Sequence, residues 1–432
     1  MSVRTVFLFL LFQFGNSQAP GYDHGGGNCI TEEDCSLGGL CINSLCVCDS
    51  YFTGPDCSLL NLQRPRFNDQ AGLCHNGFNS YYSWGGKSVF GSDNKYHLYA
   101  SFMCRHATLD EWTTKSSSAH FVADEVDGAY VFADSECDET TGICTPIVIP
   151  WSHNTVITEN APGFLPSLLL AHVGDGIVDP SQWAPCYNKS DIAGYTSLSK
   201  STLEKTISLQ DDPGSTCYFT ISNTTDGPWV RALNNSGVYI NFTGSWTNAL
   251  AGNPAPLVLK DGSVNLYFTA VPCPPNSNSL APNCIAVATA TSWEGPYTMN
   301  EAKRPITYPE SEDPSVFIDK RGNYHLVTNV NTFHARCAQG VPCGGHAWSK
   351  DGFVFSNLTV GAFGPVITFQ NGTEWKNAYA ERPLITLASD GVTPLAFSIG
   401  LGRSSYSDSC NWVQLFCTDG TDPNCGPTRF AN

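Results

Sequence analysis

Three stretches of the chain begin with a polar or acidic residue and a proline and then run into the same pattern. They are Asn253-Pro254-Ala255-Pro256 before LVLKDGSVNLYFTA, Glu312-Asp313-Pro314 before SVFIDKRGNYHLVTN, and Glu381-Arg382-Pro383 before LITLASDGVTPLAFSIG. Each reads as strand, tight turn, strand. Two weaker copies lie upstream, Trp84-Gly85-Gly86 before KSVFGSDNKYHLYAS and His153-Asn154 before TVITENAPGFLPSLLLAHVG. Units spaced roughly 60 to 100 residues apart are long for a solenoid and suit elaborated propeller blades. A hairpin repeated in this way builds several small sheets, so the expected fold is all-β, a five-bladed β-propeller over residues 74–432.

Local chemistry supports that reading. Asn94, Asp261-Gly262, Arg321-Gly322-Asn323 and Asp390-Gly391 fall at the same hairpin position, where a turn residue has to adopt an unusual backbone conformation. A second element recurs downstream of the first: Asp127-Gly128-Ala129-Tyr130, Asp226-Gly227-Pro228-Trp229 and Glu294-Gly295-Pro296-Tyr297, with Ser349-Lys350-Asp351-Gly352-Phe353 in that place of the fourth unit. Each predicts a turn whose aromatic packs between neighbouring sheets. The second unit carries an insertion from about Cys186 to Cys217, read as a surface elaboration.

The charge excludes some partners. A formal net charge of -17 with no Lys/Arg cluster argues against nucleic acid and anionic membranes. An acidic, aromatic-rich chain is compatible with a neutral or polar ligand such as a carbohydrate. Met1 to Ala19 has the layout of a secretory signal, with Arg4, an apolar run from Val6 and small residues at Gly15, Ser17 and Ala19. No later apolar stretch reaches the ~18–20 residues of a membrane span. Nineteen cysteines and sequons at Asn188, Asn223, Asn234, Asn241, Asn357 and Asn371 fit the same compartment, so a secreted, extracellular glycoprotein is expected.

After a Gly-rich spacer, residues 20–28, come Cys29, Cys35, Cys41, Cys46, Cys48 and Cys57. Their spacing resembles an EGF-like module over residues 29–57, followed by a linker, residues 58–73. So short a unit cannot bury enough apolar surface to fold without cross-links. The resemblance implies the pairs Cys29–Cys41, Cys35–Cys46 and Cys48–Cys57, and makes the module a candidate contact for an extracellular protein partner. Gly26, Gly27 and Asn28 precede Cys29 where calcium-binding versions carry acidic residues, so no calcium is expected. Thirteen cysteines remain, an odd number, and the close pairs Cys137–Cys144, Cys273–Cys284 and Cys337–Cys343 read as loop staples. No histidine sits beside them at zinc-ligand spacing, and neither a metal nor a cofactor is expected.

From about Cys74 to Ile399, the acid-proline strand starts, the returning strands and the Gly-Pro-aromatic turns together resemble the five-bladed propellers of glycoside hydrolase family 43 and its relatives. In a propeller the inner strands start near one mouth of a central channel, so strand-start residues from different blades converge. The resemblance implies inverting hydrolysis of polysaccharide by carboxylates in two protonation states. It places Asp313 as base or tuning acid and Glu381 as general acid, with Glu312 facing away because neighbouring strand residues alternate. The family's base belongs in the first unit, where this chain reads Trp84-Gly85-Gly86. Trp84, His153, Asn154, Asn253, His346 and Arg382 are the expected substrate-binding residues, Trp84 by stacking on a sugar face. His97 and His325 recur within strands and read as packing. Two functions remain open: an inverting glycosidase, or a catalytically inactive propeller that binds glycans or protein.

Overall fold

The computed structural model describes residues 25–66, 71–74, 82–103, 107–133, 147–150, 152–174, 217–233, 237–242, 250–271, 283–299, 306, 311–330, 344–403, 408–418 and 422–425. The signal segment, most of the Cys186–Cys217 insertion, Asn188, Asn234, Cys137, Cys144, Cys273, Cys337 and Cys343 lie outside them. Each of the three polar-proline starts and the two weaker copies becomes the innermost strand of one antiparallel sheet: Ser83–Phe90, His153–Glu159, Leu250–Val258, Ser311–Ile318 and Tyr379–Leu387. Returning strands follow at Tyr96–Met103, Leu168–Val173, Val264–Val271, Tyr324–Val330 and Pro394–Gly402, and third strands pack outside them. Successive inner strands lie side by side, and the fifth lies beside the first, which closes the ring. The protein is a five-bladed β-propeller preceded by a small disulfide-rich module.

The hairpins turn as their residues require. Asn94, Gly262, Gly322 and Gly391 have φ of 65°, 83°, 87° and 70°. In each turn an aspartate (Asp93, Asp261, Asp319 or Asp390) accepts the N–H two residues on, a side chain imitating a backbone turn. The downstream aromatics are wedges. Tyr130 and Tyr297 are fully buried, and each donates its hydroxyl to the carbonyl four residues earlier. Trp229 packs edge-on against Tyr99 of the neighbouring blade. The apolar core is accordingly divided into clusters that straddle pairs of blades, such as Leu169, Phe219, Leu266, Phe268 and Tyr297 between the second and third.

Two covalent links bear on the ring. Cys74 bonds Cys410 across 336 positions, joining the segment before the first blade to the outer strand of the last, and Cys417 bonds Cys425. Cys284 is also disulfide-bonded, while Cys217 is a free, buried thiol. The segment expected as a linker is in fact docked. Leu60 donates to the Ala362 carbonyl, Gln63 to Leu415 and Arg64 to Asn424, because backbone groups laid against a sheet must find partners there.

The disulfides of the small module are Cys29–Cys41, Cys35–Cys46 and Cys48–Cys57. The module is seated on the fourth blade: Phe52 sits against His325 and His346 at ring-centroid distances of 4.8 and 4.9 Å. Arg321 binds Asp49, Asp319 and the Leu37 carbonyl. Among the described sequons, Asn223, Asn241, Asn357 and Asn371 are all exposed. Among the described residues, no helix is long and apolar enough to cross a membrane.

Candidate active site at the channel mouth

All five inner strands carry the same irregularity near their starts. The pairing slips between Trp84 and Gly86, His153 and Val156, Gly252 and Ala255, Glu312 and Ser315, and Glu381 and Leu384. Within each slip one residue is left-handed: Gly85 (43°), Asn154 (55°), Asn253 (49°), Asp313 (60°) and Arg382 (60°). A bulge of this kind kinks the strand and re-aims the side chains around it. Glycine, asparagine and aspartate adopt that conformation readily, whereas at Arg382 it costs about 1–2 kcal/mol. Neighbouring blades hold the bulges in place. The Asn154 N–H donates to Ser101 Oγ at 2.9 Å and the Asp313 N–H to Thr269 Oγ1 at 3.1 Å, both acceptors on the second strand of the preceding blade.

The bulges decide which acids meet. Arg382 donates through Nη1 to Asp313 Oδ1 at 2.7 Å, and the two side chains are only 3% and 5% exposed. Burial pushes the Asp313 carboxyl above its ordinary value, while the Arg382 charge pulls against that rise. Asp313 is therefore the counter-ion of Arg382 and is not free to act as a base. The arginine also covers the first blade: a Cβ added at Gly85 would lie 2.7 Å from Arg382 Cβ and 3.1 Å from its Nε. The space a first-blade carboxylate would need is filled by the Arg382 side chain.

Glu312, expected to face away, belongs to this cluster, because the bulge between it and Ser315 breaks the alternation on which that expectation rested. It is partly exposed and accepts from Asn283 Nδ2 at 3.1 Å. Burial raises its carboxyl well above the usual range, and the charges of Asp313 and Glu381 raise it further. Glu381 is likewise partly exposed. The mouth thus presents two half-buried carboxyl groups that sense each other's charge, one of them held towards its neutral form.

The other expected residues divide. Asn154 and Asn253 meet, Asn154 Nδ2 donating to Asn253 Oδ1 across the second and third blades. His153 is buried and stacked on Trp112 at 4.9 Å; burial, then the Arg382 charge, hold it well below its ordinary pKa, and its Nδ1 has no partner among the described residues. Arg382 Nε is in the same position. Two expectations fail. Trp84 is 3% exposed and wedged against Gly400, leaving no open ring face for a sugar. His346 is not at the channel: its Nδ1 bonds the Ser58 carbonyl at 2.9 Å beneath the disulfide-rich module, and its Nε2 bonds His325. The clue in the sequence to the actual members is the residue before each proline, whose left-handed backbone brings in both its own side chain and the one before it.

No family model matches the chain, and no curated protein matches it. Several solved structures are similar to it. Zg3597, a family 117 glycoside hydrolase produced by Zobellia galactanivorans, is 14% identical over 85% of this chain and 90% of its own, with a TM-score of 0.45. A thermostable family-43 glycoside hydrolase is 10% identical over 79% and 92%, with a TM-score of 0.44. The α-L-arabinofuranosidase PaAbf62A from Podospora anserina is 9% identical over 82% and 96%, with a TM-score of 0.45.

Proposed function

We propose that the channel mouth is a glycoside hydrolase site acting on polysaccharide, with Glu312 as proton donor and Glu381 as its carboxylate partner. The observation that carries this is the division of labour among the acids: Asp313 is sealed against Arg382, while Glu312 and Glu381 stay partly exposed. Glycoside hydrolysis needs one carboxyl protonated and one ionised. Burial first, then the charges of Asp313 and Glu381, favour the neutral form of Glu312, and Glu381 is the carboxylate that activates water. Asp313 serves as the tuning acid and Arg382 fixes its position. Asn154 and Asn253 supply hydrogen bonds to sugar hydroxyls. The chain is read as a secreted glycoprotein with an EGF-like module seated on the fourth blade.

A second reading, glycan binding without hydrolysis, is favoured by one specific observation: the Arg382 side chain occupies the place above Gly85 where the resemblance requires a base. One experiment separates the two. The purified protein and its Glu312→Gln and Glu381→Gln variants are incubated with a polysaccharide panel, with reducing ends and retention on immobilised glycan both measured. Hydrolysis by the wild type that falls at least about 100-fold in either variant supports the enzyme, given the contribution of general acid–base groups. Retention without reducing ends supports the binder. The anomer of the first-formed product tests the inversion that the resemblance implies.

A further inference from the structure

Two blades carry the same Asp-His-His arrangement, and only one of them is closed. In the fourth blade His325 Nδ1 meets His346 Nε2 at 3.0 Å, and Phe52 lies over both rings. In the first blade His97 Nδ1 meets His120 Nε2 at 2.8 Å, but the group facing that junction is a carboxylate, Asp226 Oδ1, 3.8 Å from His97 Nδ1. The three ligand atoms all lie within 4.8 Å of one another, with the histidines buried and Asp226 65% exposed. Asp226 belongs to the Asp226-Gly227-Pro228-Trp229 turn of the second blade, anchored beside the first by Trp229 on Tyr99.

We infer that His97 Nδ1, His120 Nε2 and Asp226 Oδ1 bind a zinc ion between the first and second blades, with an open position for water on the solvent side. Two imidazoles and a carboxylate are a donor set zinc accepts, three protein ligands leaving a fourth place for solvent. The surrounding groups fit a metal ligand. His97 donates its other ring nitrogen, Nε2, to Asp93 Oδ1 at 3.0 Å, the outer carboxylate contact that fixes a ligating histidine's tautomer and raises its basicity. His120 is stacked flat on Tyr99 at 4.6 Å. Without metal, one N–H lies between the two histidine nitrogens. Each ring would bind the ion through a nitrogen that carries no proton, His120 shifting its N–H to Nδ1. The ion would tie Asp226 to two strands of another sheet. This departs from the expectation that the chain holds no metal, which looked for ligands beside cysteines.

The test uses untagged, glycosylated, chelator-washed protein, with zinc content measured by elemental analysis after dialysis and affinity by titration calorimetry with zinc alone. The expected result is one zinc per chain and a melting temperature that rises with zinc. In Asp226→Ala, an exposed position whose variant should fold as judged by circular dichroism, affinity falls by more than about 100-fold. In Asp93→Asn, which loses only the outer carboxylate, it falls about 10- to 100-fold. Wild-type protein that retains no zinc overturns the inference. So does stoichiometric zinc bound equally well by Asp226→Ala, which would place the ion elsewhere.

Discussion

Replacing Asp313 with asparagine tests the reassignment of the acids directly. Asparagine keeps the shape and accepts the left-handed backbone at 60°, so the change removes charge and little else. Arg382 is then left buried without its counter-ion. Charge centres about 4 Å apart in an effective dielectric of about 20 attract by about 4 kcal/mol, and breaking a buried pair from one side costs about 3–5 kcal/mol. With about 2.1 cal/mol/K of unfolding entropy per residue, spread over a propeller of this length, 4 kcal/mol lowers the melting temperature by about 5 °C. The double variant Asp313→Asn/Arg382→Met buries neither charge and should recover most of the loss, giving a coupling of about 3 kcal/mol in a double-mutant cycle. Thermal and guanidinium unfolding of the four proteins provide the measurement. If Asp313→Asn melts within 1 °C of wild type, or the double variant is no better than the sum of the singles, Asp313 is not held by Arg382 and should be restored as the base.

Other outcomes follow from the same geometry. The folded pKa of Glu312 lies above its unfolded value, so the native state holds the extra proton and stability falls as pH rises from about 4.5 towards the folded pKa; Glu312→Gln should flatten that fall in unfolding series taken between pH 4 and pH 8. Asp319 has the opposite sign: with a folded pKa of about 2, its contribution is complete above about pH 4 and is lost as pH falls towards 2. Arg321→Ala, which frees Asp49 and Asp319 together, should cost about 3 kcal/mol in denaturant unfolding and expose the disulfide-rich module to limited proteolysis. Removing the Cys74–Cys410 bond with paired serines releases a loop of 336 positions, for which chain entropy sets an upper figure of about 6 kcal/mol, read as a drop in melting temperature. Gly85→Asp should lose stability and gain no hydrolysis, because its Cβ would meet Arg382 at 2.7 Å.

The amino-acid sequence by itself determined the local structure. Glycine, asparagine and aspartate at the hairpin tips set where each strand turns back, and the Gly-aromatic elements provided Tyr130, Trp229 and Tyr297 as wedges. Those signals are local in the chain, so they can be read without knowing what lies beside them. The partners were decided only when the sheets closed into a ring. Alternation along a strand placed Glu312 away from Glu381, and a bulge fixed by neighbouring blades reversed it. Trp84 and His346 looked available until Gly400 and the Ser58–Phe52 segment, distant in sequence, packed against them. Arg382 reached Asp313 across 69 positions. The opening pattern of polar residue and proline therefore specified three strand starts, and the weaker copies at Trp84 and His153 the other two. Which of their side chains carry charge into the channel depended on the blade beside each one, because the energy of a buried charge is set by its neighbours and not by its place in the chain.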